Sequence, residues 1–220
     1  MNKVSEVSIY RVPLVMADRR VLKNITNNLP KNNTKGKFSP GLYFCVLILN
    51  KDFNFLVKEY DFIKNGKPIL NSEKFNFSIS YTDDCVYIAI VKNDAVGIDV
   101  EKIADISLSV AEEFMSTKEL LKLKKVENKY AYFYKIWTLK ESYLKLTGEG
   151  INDRIKNIEF LESKSDAFSL CLDLEQEIYF NNFTFKNCSI SVASYISLNY
   201  KIIDFENIKK FLEKYENQYT

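Results

Sequence analysis

The stretch Ala95-Val96-Gly97-Ile98-Asp99-Val100-Glu101 decides how this chain can be interpreted. Side chains alternate between the two faces of a strand, so the apolar residues share one face while Asp99 and Glu101 share the other. Residues i and i+2 lie roughly 7 Å apart along a strand, at about 3.3 Å per residue. Two carboxylates at this spacing can converge on one cation. A solvated strand edge produces the same pattern, so the stretch alone does not decide between them.

A second stretch, residues 134–145, has the periodicity of a helix. At about 100° per residue it continues one apolar stripe, formed by Tyr130, Phe133, Tyr134, Trp137 and Leu144. Glu141 falls within this stripe and Lys145 lies on its edge, while the opposite side is also apolar. A carboxylate that faces an interior must be paired, hydrogen-bonded or bound to a metal. A simple i,i+4 pair with Lys145 would explain Glu141 as well.

The two stretches together carry three carboxylates and a lysine, which form a plausible site for a divalent cation and a phosphate. The chain of 220 residues contains no histidine. Histidine-based catalytic triads and histidine-ligated zinc sites are therefore excluded. Ligation by oxygen alone favours a hard cation, Mg²⁺ or Mn²⁺.

Composition limits the remaining functional classes. A hydrophobic content of 46% in 220 residues permits one large domain or two small ones. The net charge of +2, from 31 basic and 29 acidic residues, argues against nucleic-acid binding. The longest apolar run, residues 42–49, is far too short to span a membrane, and no signal peptide is recognisable. We expect a cytoplasmic monomer without membrane contact.

Four cysteines, at positions 45, 85, 171 and 188, lack the spacing of a metal site. Cys45, Cys85 and Cys188 lie within apolar or β-branched runs, where a thiol behaves as a small core residue. We interpret them as reduced thiols.

The order of predicted elements indicates an α+β fold with mostly antiparallel sheets packed on helices. Residues 42–49 fit a buried strand and a buried helix equally well. Strands are predicted at 75–81, 85–91 and 96–101, helices within 107–147, β-like runs at 158–161, 168–174, 178–185 and 189–198, and a closing helix at 207–215. Ser109 with Glu112, and Ser116 with Glu119, each fit a capping box. Gly148 and Gly150 are expected to end the long helical region.

The two stretches also match a family signature. The segment 97–101, followed after about forty residues by Trp137-Thr138-Leu139-Lys140-Glu141-Ser142 and Lys145, resembles the two motifs of the Sfp-type 4'-phosphopantetheinyl transferases. A third element, Gly66-Lys67-Pro68 with Phe75-Asn76-Phe77-Ser78-Ile79-Ser80, resembles an upstream segment of the same family. The resemblance is good from about residue 65 to residue 151.

The resemblance implies two similar α+β halves related by pseudo-twofold symmetry, residues 1–103 and 104–220, with the active site between them. It implies transfer of the 4'-phosphopantetheine arm of coenzyme A to a serine of an acyl or peptidyl carrier protein, which releases adenosine 3',5'-bisphosphate. Asp99, Glu101 and Glu141 would hold Mg²⁺ or Mn²⁺, and Lys145 would stabilise the leaving group. Glu141 could also accept the serine proton. The sequence leaves open whether Glu141 is a general base or only a metal ligand.

The coenzyme A pocket implied by the resemblance involves Lys67, Ser78, Ser80, Lys145, Lys37 and Ser39. Hydroxyls on a solvent-facing strand would explain Ser78 and Ser80 equally well. The chain departs from the family at Ile79, where the family usually has a histidine that helps to hold a phosphate. Ile79 either lies at the phosphate pocket or packs inward beside Phe77.

Two alternatives to the transferase remain open. One is a non-catalytic relative that binds carrier proteins, and the other is a Mg²⁺-dependent hydrolase of nucleotide pyrophosphates. Phe114, Met115 and the lysines of 118–125 lie between the motifs and could contact a carrier. A helix with a core face and a solvated lysine face explains these residues as well.

Overall fold

The computed structural model describes residues 5–14, 39–58, 60–62, 66–70, 72–150, 153–162, 168–170 and 177–215. The α+β class predicted from the sequence is confirmed. The strands are β1 Ser5–Pro13, β2 Tyr60–Phe62, β3 Pro68–Leu70, β4 Phe75–Tyr81, β5 Cys85–Lys92, β6 Val96–Lys102, β7 Phe160–Glu162, β8 Phe168–Leu170, β9 Tyr179–Phe185, β10 Cys188–Ser194 and β11 Leu198–Asp204. The α-helices are α1 Pro40–Asp52, α2 Ala111–Phe114, α3 Thr117–Leu123, α4 Lys129–Thr147 and α5 Ile208–Tyr215, with 3₁₀ turns at Leu108–Val110 and Asp153–Asn157.

The chain divides into two compact units, which differ from simple sequence halves. The first, here called the outer unit, comprises Glu6–Asp94 and Asn199–Thr220; the second, the motif unit, comprises Met1–Ser5 and Ala95–Leu198. The change falls after residue 94 because β6 pairs with β10 and packs on α4. The division at residues 103 and 104 and the pseudo-twofold symmetry both stay predictions.

The outer unit is built on a sheet with strand order β11-β1-β5-β4. β5 pairs antiparallel with both β1 and β4, so Ile88 lies opposite Tyr10 on one side and Ile79 on the other. The helix α1 packs against this sheet and buries every residue from 41 to 49. The ambiguous run 42–49 is therefore a buried helix, whose start is favoured by Pro40 in its first turn.

The last helix, α5, belongs to the same unit and is held by one carboxylate. Asp52 Oδ2 accepts hydrogen bonds from Tyr10 at 3.0 Å and from Tyr215 at 2.7 Å. Lys214 Nζ lies 3.3 Å from the same oxygen. Burial raises the pKa of both tyrosines well above the ordinary value, so both hydroxyls stay donors. The predicted closing helix is thereby confirmed and tied to the end of α1.

The motif unit contains a sheet with strand order β6-β10-β9, all antiparallel, with α4 packed on β6 and β10. Asn128 caps α4 by accepting from the Ala131 amide, and Gly148, with φ of 76°, ends it as predicted. Ser116 and Glu119 form the predicted capping box of α3. The predicted box of Ser109 with Glu112 is wrong, because Ser109 lies inside a 3₁₀ turn and bonds Ser107.

Two further sequence predictions concern burial. Cys45, Cys85 and Cys188 are buried free thiols, as expected, and Cys171 lies outside the described residues. β6 buries its apolar face completely, and Asp99 and Glu101 share its other face, as the alternation predicted. Among the described residues, no helix is both long and apolar enough to cross a membrane.

β6 lies directly against the backbone of α4 at Gly97. A Cβ atom added there would lie 2.0 Å from the Ser142 carbonyl oxygen and 2.6 Å from the Leu146 backbone nitrogen. Both obstacles are helix backbone, which cannot rotate away as a side chain can. The absence of a side chain at this position is therefore what lets the strand lie directly against the helix.

We predict that Gly97→Ala costs about 3 kcal/mol or more of unfolding free energy, at or above the upper end of the usual cost of overpacking. Gly97→Ser should cost more, since the added oxygen needs further space. Urea unfolding of the two variants measures both values. A Gly97→Ala protein as stable as the wild type would contradict the close contact.

Candidate active site

The residues of the two motifs meet where β6 lies against α4. Gly97 lets β6 lie directly against α4 at Ser142. Asp99 and Glu101 follow on the same face of the strand, so they face the part of α4 that carries Glu141 and Lys145. Lys145 Nζ lies 2.7 Å from Asp99 Oδ1, and Asp99 is only 4% exposed. The structure thus brings together the three carboxylates and the lysine that the sequence singled out.

Glu101 lies at the edge of this cluster and is partly buried. The indole Nε1 of Trp137 donates a hydrogen bond of 3.3 Å to Glu101 Oε1. The Trp137 ring is itself held edge-to-face on Phe114, with ring centroids 4.5 Å apart. A well-packed aromatic residue therefore fixes the position of the third carboxylate.

Glu141 is the residue whose environment is most unusual. Its Oε1 is buried and has no hydrogen-bond partner among the described residues. Burial raises the pKa of Glu141 to about 7, and the nearby charges of Asp99 and Glu101 add to the increase while Lys145 opposes it. A carboxyl group with this pKa exchanges a proton near neutral pH, a property that clusters at functional sites.

The chemistry of these residues fits a hard divalent cation, because Asp99 and Glu101 lie near Glu141, whose buried Oε1 has no hydrogen-bond partner among the described residues. Within the described parts of the chain, no three Asp, Glu or Cys side chains stand ready to hold a metal ion. Asp99 is engaged by Lys145 and Glu101 by Trp137.

Apart from Lys145, the residues predicted for the coenzyme A pocket belong to the outer unit. Lys67 is partly exposed, whereas Ser78 and Ser80 are each 4% exposed. The description of these serines as solvent-facing is therefore wrong. Ser39 precedes α1 and its hydroxyl bonds the hydroxyl of Tyr81. Lys37 lies outside the described residues.

Ile79 packs with the hydrophobic core of the outer unit. A Cβ added at Gly41 would lie 2.8 Å from Ile79 Cγ2, so the isoleucine reaches the backbone of α1. Phe77, two residues earlier on the same face, is buried in the same core. The structure thus favours the inward-packing interpretation of residue 79.

A buried ion pair beneath the site was missed by the sequence reasoning. Lys140 Nζ lies 2.8 Å from Glu119 Oε2, and both side chains are fully buried. Lys140 also donates to the carbonyl oxygens of Phe114 at 2.7 Å and Ile155 at 3.1 Å. Burial lowers the pKa of Lys140, and the charge of Glu119 opposes that change.

Glu119 completes the same network through its two oxygens. Oε1 accepts from the Phe160 amide at 2.8 Å and Oε2 from the Ser116 amide at 2.8 Å. The pair therefore ties α4 to α3, to the end of α2, to a 3₁₀ turn and to β7. A sequence signal existed, because Lys140 stands four residues after Ile136 and three before Tyr143, on a buried side of the helix.

A second polar network joins α4 to the sheet. Thr138 Oγ1 lies 2.8 Å from Ser191 Oγ and 3.1 Å from Ser189 Oγ, and Asn182 Nδ2 donates to both serines. Ser191 pairs with Asp99 across β10 and β6, and Ser189 pairs with Glu101. The hydroxyl at position 138 thus fixes the helix beside the two strand carboxylates.

The suggested carrier-contacting residues fall into two classes. Phe114 and Met115 are 3% and 2% exposed and belong to the core of the motif unit, so they cannot form a docking surface. Among the suggested lysines, Lys118, Lys124 and Lys125 are exposed, and their contact with a carrier stays a prediction. The core explanation of the first two residues is the correct one.

Comparison with known proteins adds to this geometry. Residues 95–196 match the 4'-phosphopantetheinyl transferase superfamily. The predicted family resemblance is therefore confirmed, and the matched range contains Asp99, Glu101, Glu141 and Lys145.

Several curated relatives share this segment. The chain is 41% identical over 91 residues to the 4'-phosphopantetheinyl transferase psf-1 of Bacillus pumilus, covering 40% of this chain and 39% of the relative. It is 35% identical over 104 residues to Sfp of Bacillus subtilis strain 168, covering 46% and 44%. It is 27% identical over 176 residues to the L-aminoadipate-semialdehyde dehydrogenase-phosphopantetheinyl transferase of Saccharomyces cerevisiae, covering 73% and 64%. The chain spans less than half the length of the first two relatives.

Solved structures give a weaker likeness. A holo-(acyl-carrier-protein) synthase from Bacillus anthracis, in complex with CoA (3',5'-ADP), is 18% identical with a TM-score of 0.42, over 47% of this chain and 96% of that protein. The Helicobacter pylori synthase in complex with coenzyme A is 23% identical with a TM-score of 0.39, over 44% and 96%. Likeness at this level does not bear on the assignment of individual residues.

We predict that Glu141→Gln stabilises the protein at pH 8 by about 1–3 kcal/mol, since one pKa unit corresponds to about 1.4 kcal/mol. The folded protein binds the Glu141 proton more tightly than the unfolded chain does, so wild-type stability falls as pH rises from 4.5 towards 7. Glutamine has no proton to lose. The stability difference between variant and wild type should therefore grow over that window and level off above it.

Urea unfolding from pH 4.5 to 8 in the presence of chelator measures this difference. Glu112→Gln, at an exposed position of α2, is the matched control and should show no such growth. A constant difference between Glu141→Gln and wild type across the window would show that the carboxyl is not held protonated.

We predict that Lys140→Met and Glu119→Gln each cost about 3–5 kcal/mol, because each leaves one buried group without its opposite charge. The double variant should cost much less than the sum of the two, since neither charge is then left alone. Lys118→Met removes the exposed partner of Glu159 and should cost under about 1 kcal/mol. If the loss of unfolding free energy in the double variant equalled the sum of the two single losses, measured by urea unfolding, Lys140 and Glu119 would not be a coupled pair.

Proposed function

We propose that this chain transfers the 4'-phosphopantetheine arm of coenzyme A to a serine of an acyl or peptidyl carrier protein. The observation that carries the proposal is the meeting of Asp99, Glu101, Glu141 and Lys145 on β6 and α4, within the segment that matches the transferase superfamily. Neither motif would suffice alone. Their contact supports a single site for a cation and a pyrophosphate.

The proposed reaction is a displacement at phosphorus. The serine oxygen forms a bond to the phosphorus that carries the pantetheine arm, and the bond from that phosphorus to the bridging oxygen breaks. Adenosine 3',5'-bisphosphate leaves with the electron pair. In such a reaction the protein contributes chiefly positioning and neutralisation of charge.

Glu141 is assigned as the acceptor of the serine proton. Burial raises the pKa of Glu141 to about 7 when no cation is bound, so this carboxyl can exchange a proton near neutral pH. Its Oε1, buried and without a partner among the described residues, is the oxygen available for this role. Lys145, one helical turn further on, is placed to donate to an oxygen of the leaving bisphosphate.

The proposed metal ligands are Asp99, Glu101 and the second oxygen of Glu141. A Mg²⁺ or Mn²⁺ ion held there would offset negative charge on the pyrophosphate. Because ligation lowers the basicity of a carboxylate, the roles of Glu141 as ligand and as base compete with each other.

The proposed contacts to the nucleotide end of coenzyme A lie in the outer unit. Lys67 supplies a positive charge, and Ser78, Ser80 and Ser39 supply hydroxyls or amides. Lys37 is kept as a further proposed contact, although it lies outside the described residues. We expect the protein to act as a monomer in the cytoplasm, as proposed from its sequence.

The test is to incubate the protein with an apo-carrier protein, Mg²⁺ and coenzyme A and to weigh the carrier by mass spectrometry. Transfer adds about 340 Da, the mass of the covalent arm. Cleavage of coenzyme A without this addition would identify a hydrolase. An unchanged carrier together with intact coenzyme A would indicate a non-catalytic protein that binds the carrier.

We predict that Lys145→Ala and Asp99→Ala each lower the rate of transfer by at least about 100-fold, the scale of losing one electrostatic contact to a transition state. Lys129→Ala, an exposed lysine at the start of α4, serves as the control and should keep the wild-type rate. A wild-type rate of transfer in excess chelator would refute the requirement for a cation. A wild-type rate in Lys145→Ala would refute the role assigned to that lysine.

A further inference from the structure

Two of the three carboxylates of the site contact donor groups on α4. The ammonium of Lys145 lies 2.7 Å from Asp99 Oδ1, and its side chain is 27% exposed. The indole of Trp137 donates to Glu101 Oε1 at 3.3 Å. Two of the three carboxylates are therefore held by a positive charge or a proton donor from α4.

We propose that Lys145 and Trp137 hold the site in a cation-free resting arrangement, in which the Lys145 ammonium takes the place of the cation at Asp99, and that a divalent cation binds by displacing both contacts. This inference rests on the proposed function for the identity of the cation. It goes further, because it makes Lys145 a competitor of the cation as well as a partner of the leaving group.

The physical argument is one of charge and space. A cation at Asp99 and the Lys145 ammonium would both be positive and would share one nearly buried carboxylate. Like charges at such distances repel strongly where water is scarce. Lys145 must therefore leave Asp99 when the cation arrives, and its flexible stem of four methylenes allows this without movement of α4.

Release of Lys145 has a consequence for ligand binding. An ammonium freed from Asp99 is available to an anionic oxygen, and the natural anion at this point is a pyrophosphate. The cation would thus prepare the anion site by liberating the lysine. Trp137 takes the corresponding part at Glu101, because its indole can donate to a carboxylate but cannot bind a metal ion.

Trp137 offers a direct signal for the exchange. It is the one tryptophan in the sequence, so its fluorescence reports this position without interference. Loss of the hydrogen bond to Glu101 changes the environment of the indole nitrogen. A titration of the protein with MgCl₂ alone, without coenzyme A or carrier, should therefore change the tryptophan emission.

The test compares Mg²⁺ affinity, by calorimetry and by tryptophan fluorescence, for the wild type, Lys145→Met and Lys129→Met. Loss of the competing ammonium should tighten Mg²⁺ binding by about tenfold in Lys145→Met, the lower part of the range for hydrogen bonds to charged groups. Lys129→Met removes the same formal charge from an exposed position of the same helix and should bind as the wild type does. Glu101→Gln should weaken binding and abolish the fluorescence change.

Thermal unfolding shows whether each variant is folded. It also gives a second measure of affinity, because Mg²⁺ should raise the melting temperature of Lys145→Met more than that of the wild type. Trp137→Phe, followed by calorimetry alone, should also bind Mg²⁺ more tightly, and it leaves the Lys145 contact intact. Mg²⁺ binding that is weaker or unchanged in Lys145→Met would overturn the proposal. Binding to the wild type without any change in emission would overturn the part assigned to Trp137.

The transfer assay distinguishes failure of this inference from failure of the proposed function. If the wild type modifies the carrier while Lys145→Met shows no gain in Mg²⁺ affinity, the competition between Lys145 and the cation is refuted and the transferase proposal stands. A protein that shows the predicted gain yet modifies no carrier refutes the transferase and keeps the exchange. Absence of Mg²⁺ binding in both wild type and Lys145→Met refutes the exchange.

Discussion

The direct contact of β6 with the backbone of α4 at Gly97 is the constraint on which the site depends. No side chain separates strand from helix there, since a Cβ would lie 2.0 Å from a helix carbonyl oxygen. Asp99 and Glu101 then follow at the next two positions on the same face, opposite the turn that carries Glu141 and Lys145. In this arrangement Lys145 meets Asp99 at 2.7 Å.

Two buried polar networks keep α4 in the orientation that this contact requires. Lys140 and Glu119 tie the helix to the small helices and turns on one side, and Thr138 ties it to Ser189 and Ser191 of β10 on the other. Apolar packing alone would allow a helix to slide or turn by a fraction of a residue. Satisfied buried polar groups resist such movement, because each displacement would leave a donor or an acceptor without a partner.

The sequence predicted the features that depend on local periodicity. The alternation around Asp99, the apolar stripe of α4 and the cap at Ser116 are each set by residues within a few positions of one another. The run 42–49 was undecided because continuous apolar sequence has no period. Strands β1 and β11 were not predicted, because their place in the sheet of the outer unit is decided by partners distant along the chain.

The same limit applies to the candidate site. Motif spacing indicated that Asp99, Glu101, Glu141 and Lys145 belong together, yet the ion pair of Lys140 with Glu119 escaped detection because its partners lie on separate helices. The burial of Ser78 and Ser80 could not be predicted for a related reason, since hydroxyls look equally polar on a buried and on an exposed strand face. Periodicity identifies which residues share a face, and tertiary contacts decide what covers that face.

The charge of the cluster explains why its parts are arranged as they are. With every group ionised, the three carboxylates and Lys145 would carry a net charge of −2 in a partly buried space, which is costly. The resting protein relieves this cost by raising the pKa of Glu141 to about 7, by the ion pair at Asp99 and by the indole donor at Glu101. In the proposed exchange, a divalent cation would offset two of the three carboxylate charges after Lys145 has left Asp99. In that exchange, the cation replaces the two contacts that stabilise Asp99 and Glu101, and the freed Lys145 becomes available to an anionic oxygen.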